Sequence, residues 1–382
     1  MKRSYKFRIY PNKEQEDQLK KTIGCCRYVY NHALALRRDA WRNEQKSVGY
    51  GATSKDLTSI KKETEWLNEV SSVALQQALR NLDAAYSNLF KHGKGYPKFK
   101  RKSNGGSARF VRTGFRLDGK VFNLARIETQ IEVVWSRKLP SQPSSCTVSQ
   151  NPSGQWFVSF VCEEDEVHLP KLDKEIGVDL GIESFATFSD GRKRKQPDSI
   201  RKLRRDLARA SRTHSHKKLG SKNREKARIK VAKVHQKITN TRNDFLHKLS
   251  SQLIHENQVI AIEDLAVSKM VKNRRLARLI SEQGWRDFRT MLEYKSNWYG
   301  RELIVIDRFS PTSQICNSCG KINKVSLDKR SVKCECGVMY DRDVNAAKNI
   351  LAVGTTVSAC GTDVRLPRKR LVTKQEVSEL IP

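Results

Sequence analysis

The sequence predicts an α+β protein of several domains: a small β-barrel with a helical insert, followed by an α/β domain that carries a four-cysteine ribbon. Three observations predict it. The hydrophobic period near the N-terminus is two, lengthens to that of a helix, and returns to two. The second half sets short apolar runs, of the kind that form buried strands, among long basic stretches with helical spacing. Four cysteines crowd into two close pairs at positions 316–336.

Tyr5, Phe7 and Ile9 alternate with Lys6 and Arg8 in a first strand, which Pro11 ends. From Lys13 the period becomes helical, and Leu19, Ile23, Val29 and Ala33 share a stripe. Ser54 reads as the N-cap of a second helix running to Trp66. A third helix runs from about Ser72 through Leu75, Leu79, Leu82, Tyr86 and Phe90, ending before Gly93 and Gly95. A basic, glycine-punctuated loop at 98–106 follows. Strands then return at 115–117 and 121–124, joined by an Asp118-Gly119 turn, and at 131–135, 146–150 and 156–162. One strand before the helices and five after them suggest a barrel from 1–12 and 98–165, with 13–97 as its helical insert and 163–174 as the linker out of it.

The second half, 175–310 and 338–355, begins with strands at 176–180 and 185–188 and a turn at Asp190-Gly191. Positions 201–240 carry fifteen Lys or Arg against two acids. Leu203, Leu207 and Ala210, then Ile229, Ala232 and Val234, keep rough helical spacing there, so the segment reads as a helical pair with a phosphate-facing surface. Further strands at 259–263 and 303–306 flank a helix with Trp285, Phe288 and Leu292 on its apolar face. The ribbon occupies 311–337, and 356–382 reads as a flexible tail.

The charge narrows the function. The 382 residues hold 74 Lys plus Arg against 41 Asp plus Glu, a formal +33. Such self-repulsion opposes a compact state unless a polyanion compensates it, and a phosphate backbone is the commonest partner of that kind. No long apolar run or signal peptide is evident, so the expectation is a cytoplasmic protein with no membrane partner and no small-molecule substrate. Thiols then stay reduced, and Cys25, Cys26, Cys146, Cys162 and Cys360 read as small buried hydrophobes.

Cys316-Asn-Ser-Cys319-Gly320 and Cys334-Glu-Cys336-Gly337 have the spacing of two metal knuckles. Four thiolates suit one tetrahedral Zn²⁺ and leave no open coordination position, so this zinc is structural. Each following glycine is expected to permit close backbone approach. Three carboxylates form the other constellation. Asp179 lies in Ile176-Gly-Val-Asp-Leu-Gly181 and Glu263 ends Val259-Ile-Ala-Ile-Glu, two apolar strands in which an unpaired charge is expensive. Asp343 falls in the first turn of a helix for which Asp341 is the cap. Oxygen ligands of this kind select Mg²⁺ or Mn²⁺, and two such ions can clamp a phosphodiester undergoing hydrolysis. Asp264, next to Glu263 on its strand, should point to the opposite face.

At these residues the sequence resembles the TnpB (OrfB) proteins of bacterial insertion sequences, relatives of the type V CRISPR nucleases. Four stretches carry the likeness: Phe7-Arg-Ile-Tyr-Pro11 with Cys25, Arg27, Tyr28 and Asn31; Gly177-Val-Asp-Leu-Gly181; Ile262-Glu-Asp-Leu265; and the two cysteine pairs running into Asp341-Arg-Asp-Val-Asn-Ala-Ala347. The resemblance implies an RNase H-like (RuvC) α/β nuclease domain behind a wedge-like barrel and a helical recognition lobe. It puts the family's Asp, Glu and Asp on Asp179, Glu263 and Asp343, with Mg²⁺ as their cofactor. It also implies a guide RNA from the element's own end and cleavage of double-stranded DNA beside a short adjacent motif. The alternatives are a strand-joining transposase, against which the family's behaviour argues, and an RNA-guided repressor, whose relatives lose part of the acidic triad that is complete here. A protein-read anchor must precede pairing in a guided nuclease. Gln76 and Gln77 are the candidates, since amides can pair with adenine edges, with Tyr50 and the 98–103 loop supplying stacking or backbone contacts.

Overall fold

The computed structural model of the protein describes residues 1–308, 310–323 and 330–359. These fall into two compact units, Met1–Asp165 and a second that begins at Glu166.

In the first unit, β1 (Lys2–Tyr10) leads into α1 (Lys13–Glu44), α2 (Tyr50–Glu63) and α3 (Ser72–His92). Then come β2 (Gly106–Val111), β3 (Phe115–Asp118), β4 (Val121–Leu124), β5 (Glu132–Val134), β6 (Ser145–Gln150) and β7 (Trp156–Glu163). Alternation in β1 buries Tyr5, Phe7 and Ile9, while the register with β7 runs from Lys2 opposite Glu163 to Ile9 opposite Trp156. Asn12 and Gln15 form a reciprocal capping box that starts α1 immediately after Pro11.

The expected barrel is not closed. The antiparallel strands run in the order β2-β6-β7-β1-β5, with β3 and β4 as a separate hairpin. The core is covered from outside the sheet instead. Phe122 of the hairpin meets Phe160 edge-on at 5.1 Å, and Trp135 stacks on the same ring at 5.7 Å. Helices α1 and α3 pack on β2. With its apolar face sealed by helices and aromatics, the sheet has no need to pair its own edges. Strand β2 begins where the basic loop at 98–106 ends and has no counterpart in the sequence reading. Ser54 is not a cap either: α2 begins four residues earlier, after Gly49, and Trp66 lies in a separate short turn.

In the second unit the order is β8 (Glu175–Asp179), β9 (Ala186–Phe188), β10 (Lys193–Arg194), α4 (Asp198–Ser215) and α5 (Lys222–Glu256). It continues through β11 (Val259–Glu263), α6 (Val267–Met270), α7 (Ala277–Gln283), α8 (Trp285–Tyr299) and β12 (Glu302–Ile306). Last come β13 (Ser331–Lys333), β14 (Met339–Asp341) and α9 (Arg342–Ala359). The sheet order is β10-β9-β8-β11-β12, in which β8, β11 and β12 are parallel and β9 is antiparallel to β8. Burial on both faces explains why these strands read as apolar runs. Ile176, Val178, Ile260 and Ile262 join a core with Leu246 and Leu249 of α5 and Phe288 and Leu292 of α8. The intervening Gly177 and Ala261 face α9. A Cβ on Gly177 would lie 2.0 Å from the Ala347 carbonyl oxygen, so only glycine lets α9 cross β8 this closely.

The basic pair α4 and α5 pack on each other as their spacing suggests. Helices α6 and α7 have no counterpart in the sequence reading. Helix α9 runs on to Ala359, and the rest of the expected tail, with Cys360, lies outside the described residues. Cys25, Cys26, Cys146 and Cys162 are buried and free. Among the described residues no helix is long and apolar enough to cross a membrane.

Candidate active site and metal centre

Strand register sets the first two carboxylates side by side. Ile262 pairs with Val178 in the parallel ladder, so Glu263 and Asp179 come next on adjacent strands, at their C-terminal ends. Both follow residues that face α5 and α8, so both turn to the α9 side of the sheet. Helix α9 delivers the third. The Asp341 Oδ1 accepts the N–H groups of Asp343 and Val344 at 3.0 Å, capping the helix and leaving Asp343 free for other contacts. Asp179, Glu263 and Asp343 thereby line one cleft of about 510 Å³, with Thr187, Thr312, Arg330 and Arg342 among its walls.

The electrostatics record the crowding. Burial, reinforced by the charges of Glu263 and Asp343, pushes the Asp179 carboxyl up to about 7, against the pull of Arg342. Burial also raises Glu263, while a hydrogen bond from the Thr312 hydroxyl works the other way. Asp343 is held by cations: Arg330 Nη1 donates to its Oδ2 at 2.7 Å, and Lys193 Nζ stands 4.0 Å away. The second arm of Arg330 pairs with Glu183. Three carboxylates lining one cleft, two of them raised by burial and the third holding a guanidinium, match the chemistry of a hard divalent cation. Asp264 turns to the other face as alternation requires, gripped by Arg289 of α8 and by Arg308.

The four cysteines form the second constellation. Their sulfurs all lie within 4.8 Å of one another, a set that could hold one metal ion. Cys316 and Cys334 are buried and Cys319 and Cys336 exposed. Gly320 N–H closes one knuckle on the Cys316 carbonyl at 2.9 Å, and Gly337 N–H closes the other on Cys334 at 3.0 Å. Both glycines are required for a reason other than the expected one. Their φ angles are +75° and +86°, while the space where a Cβ would sit is open, so conformation rather than close approach selects them.

The amide candidates separate. Gln76 is exposed on α3, whereas Gln77 is 6% exposed and borders a shallow cleft with Arg80, Asn81 and Arg109. Tyr50 packs against the first unit's core with the Arg80 guanidinium over its ring at 4.7 Å. Sequence reasoning missed Thr312, Lys193 and Arg330. Lys193 and Thr312 are remote in the chain from the carboxylates they touch, Arg330 stands 13 residues before Asp343, and no local spacing marks any of them.

In fold the protein is a mixed α/β chain like a Cas12f1 in a cryo-EM complex with single-guide RNA and target DNA. The TM-score is 0.58 and the identity 13%, over 89% of this chain and 83% of that one. Three family models match: OrfB of IS605, described as a probable transposase, over 159–274; the Cas12f1-like TNB domain over 285–350; and the OrfB helix-turn-helix domain over 1–46. A Streptomyces pristinaespiralis protein, provisionally named an RNA-guided DNA endonuclease, is 47% identical over 97% of this chain and 93% of its own length. An Escherichia coli K12 protein with the same provisional designation is 34% identical, over 99% and 98%. The chain belongs to the OrfB (TnpB) family of IS605-type insertion sequences.

Proposed function

We propose that this protein is an RNA-guided, metal-dependent DNA endonuclease encoded by a transposable element, with an RNase H-like (RuvC) catalytic domain. The observation that carries the reading is the convergence of Asp179, Glu263 and Asp343 on one cleft in a chain of charge +33. In such a site two divalent cations, Mg²⁺ or Mn²⁺, supply the clamp on the attacking and leaving oxygens of a phosphodiester.

The chain's own residues do the rest. Asp179 and Glu263, on a rigid sheet, and Asp343, on a capped helix, would hold the cations. Arg330, in the cleft wall beside Asp343, would be available to pair with a phosphate oxygen if Asp343 held a cation in its place. The exposed lysines and arginines of α4 and α5 hold the nucleic-acid backbone by charge and shape, while base pairing to a guide RNA reads the target. The cysteine cluster takes one structural Zn²⁺. Residues 1–12 and 98–165 serve as a wedge-like domain and 13–97 as a recognition lobe, in which Gln76, Gln77 and Tyr50 read the adjacent motif.

The test is to purify the protein with the RNA it retains, sequence that RNA, and challenge the complex with plasmids bearing the matching target and randomised flanks. Cleavage that requires Mg²⁺ or Mn²⁺, the RNA and one flanking motif is expected. Binding without cleavage under those conditions would favour the repressor, and strand joining the transposase.

A further inference from the structure

We propose that Thr312 is a positioning residue for Glu263, and that Asn345 and Asn349 of α9 tie it to the first cysteine knuckle. The inference rests on reading Glu263 as a cation-holding carboxylate.

Thr312 is 5% exposed and donates its hydroxyl to Glu263 Oε1. It precedes the first cysteine on an irregular segment, so its position needs another anchor. Asn349 provides one: its Nδ2 donates to the Thr312 carbonyl at 2.7 Å and to the Ile315 carbonyl at 2.7 Å. Asn345, one helical turn earlier, donates to the same Ile315 carbonyl at 2.7 Å. Both amide oxygens then accept from one residue. Asn345 Oδ1 takes the Asn317 backbone N–H at 2.9 Å, and Asn349 Oδ1 takes Asn317 Nδ2 at 3.0 Å. Asn317 stands inside the knuckle, between Cys316 and Cys319.

The orientation of both amides is determined by their partners. Each NH₂ faces carbonyls and each Oδ1 faces an N–H, so flipping either would set donor against donor and oxygen against oxygen. Asn345 and Asn349 are 3% and 7% exposed, so water cannot readily replace these bonds. The path is continuous, from the knuckle through Asn317, the two asparagines and Thr312 to the carboxylate. The helix that supplies Asn345 and Asn349 also supplies Asp343, so one rigid element sets two of the three acids. A buried partner of this kind orients a ligating carboxylate, and its loss typically costs 10–100-fold in metal affinity.

The test is a Mn²⁺ titration of the full-length, zinc-replete protein, read from the electron paramagnetic resonance signal of free Mn²⁺, with zinc counted by mass spectrometry. Glu263→Ala should remove the tight Mn²⁺ site. Thr312→Val, which keeps the volume and loses the hydroxyl, should weaken it about 10-fold or more with zinc retained. Thr312→Ser, which keeps the hydroxyl, should restore affinity, a rescue that a packing role would not produce. Asn317→Ala, remote from the cleft, should weaken Mn²⁺ binding in the same direction. If Glu263→Ala loses the site while Thr312→Val binds like wild type, the positioning role is overturned. Wild-type affinity in Asn317→Ala would overturn the link to the knuckle. If Glu263→Ala itself binds like wild type, the reading of Glu263 falls instead.

Discussion

The cysteine cluster and the carboxylate cleft are both candidate cation sites in the second unit, and the chain assembles them in opposite ways. The four sulfurs come from positions 316–336 and are gathered by two turns whose glycines adopt positive φ. The three acids come from two strands and a helix spread between positions 179 and 343, and nothing local gathers them. Their meeting depends on the β8–β11 register and on the close crossing of α9 over Gly177. The glycines make the contrast concrete. Gly320 stands in open space and is needed for its backbone angle, while Gly177 is needed because no side-chain atom fits. A site closed by local turns should survive changes elsewhere; a site assembled by packing should fail with the packing.

The largest expected effect is at the acids. Asp179→Ala, Glu263→Ala or Asp343→Ala should each lower cleavage by on the order of 10³-fold or more while guide RNA and target binding persist, since each carboxylate positions a metal and not the nucleic acid. The loss would follow from the missing metal ligand, not from any direct action of the carboxylates on the reacting phosphate. A cleavage assay in Mg²⁺ beside a filter-binding assay checks this, and near-normal cutting by any variant removes that residue from the site.

The cysteines should respond differently. Cys316→Ala or Cys334→Ala should abolish zinc binding and loosen the ribbon, while β8 and β11, the strands that carry Asp179 and Glu263, keep their pairing. Metal analysis of protein purified without chelator checks the first part, with one Zn²⁺ per wild-type chain expected, and hydrogen exchange checks the second. Protection lost across β8 and β11 in these variants would mean that the two sites do not differ as described.

The two glycines test the same contrast more finely. Gly177→Val should destabilise the protein by about 3 kcal/mol, because helix and strand must part to admit the side chain. Gly320→Ala should cost about 1–2 kcal/mol, the penalty for a left-handed conformation, and Gly320→Asn less. Denaturant unfolding measures both, and equal effects would erase the distinction.

The smallest effect concerns the first unit. Gln76→Ala or Gln77→Ala should change the preferred adjacent motif more than it changes RNA binding, with Gln76 the better placed because it is exposed. A randomised-flank library that returns one motif for wild type and both variants would exclude this helix from motif reading.

Much of this architecture could be read before any coordinates. The alternation of Tyr5, Phe7 and Ile9 specified a strand with one buried face, and Asp118-Gly119 specified a hairpin turn, Gly119 having φ +56°. The run at 259–263 specified a buried strand, that at 303–306 a strand which proves to be half-buried at the sheet edge, and Asp341 specified the cap of α9. These signals are local, because periodicity, turn chemistry and capping act within a few residues. Ser54 misled for the same reason: a good capping residue also occurs inside a helix when earlier residues can begin it.

What the sequence by itself determined is therefore most of the longer elements and the cysteine knuckles, since a helical stripe, a strand alternation and a tight turn each carry their cause within themselves; β2, α6 and α7 left no mark in it. Tertiary structure alone decided that the first sheet stays open, because helices and the β3–β4 hairpin cover the face that closure would otherwise have to bury. It decided that Arg330 and Thr312 reach Asp343 and Glu263, and that Gly177 is required for space rather than for angle. Those outcomes depend on which surfaces meet when separate elements pack, over separations of 13 residues for Arg330 and Asp343 and 49 for Thr312 and Glu263, and no periodicity or turn signal encodes such a contact.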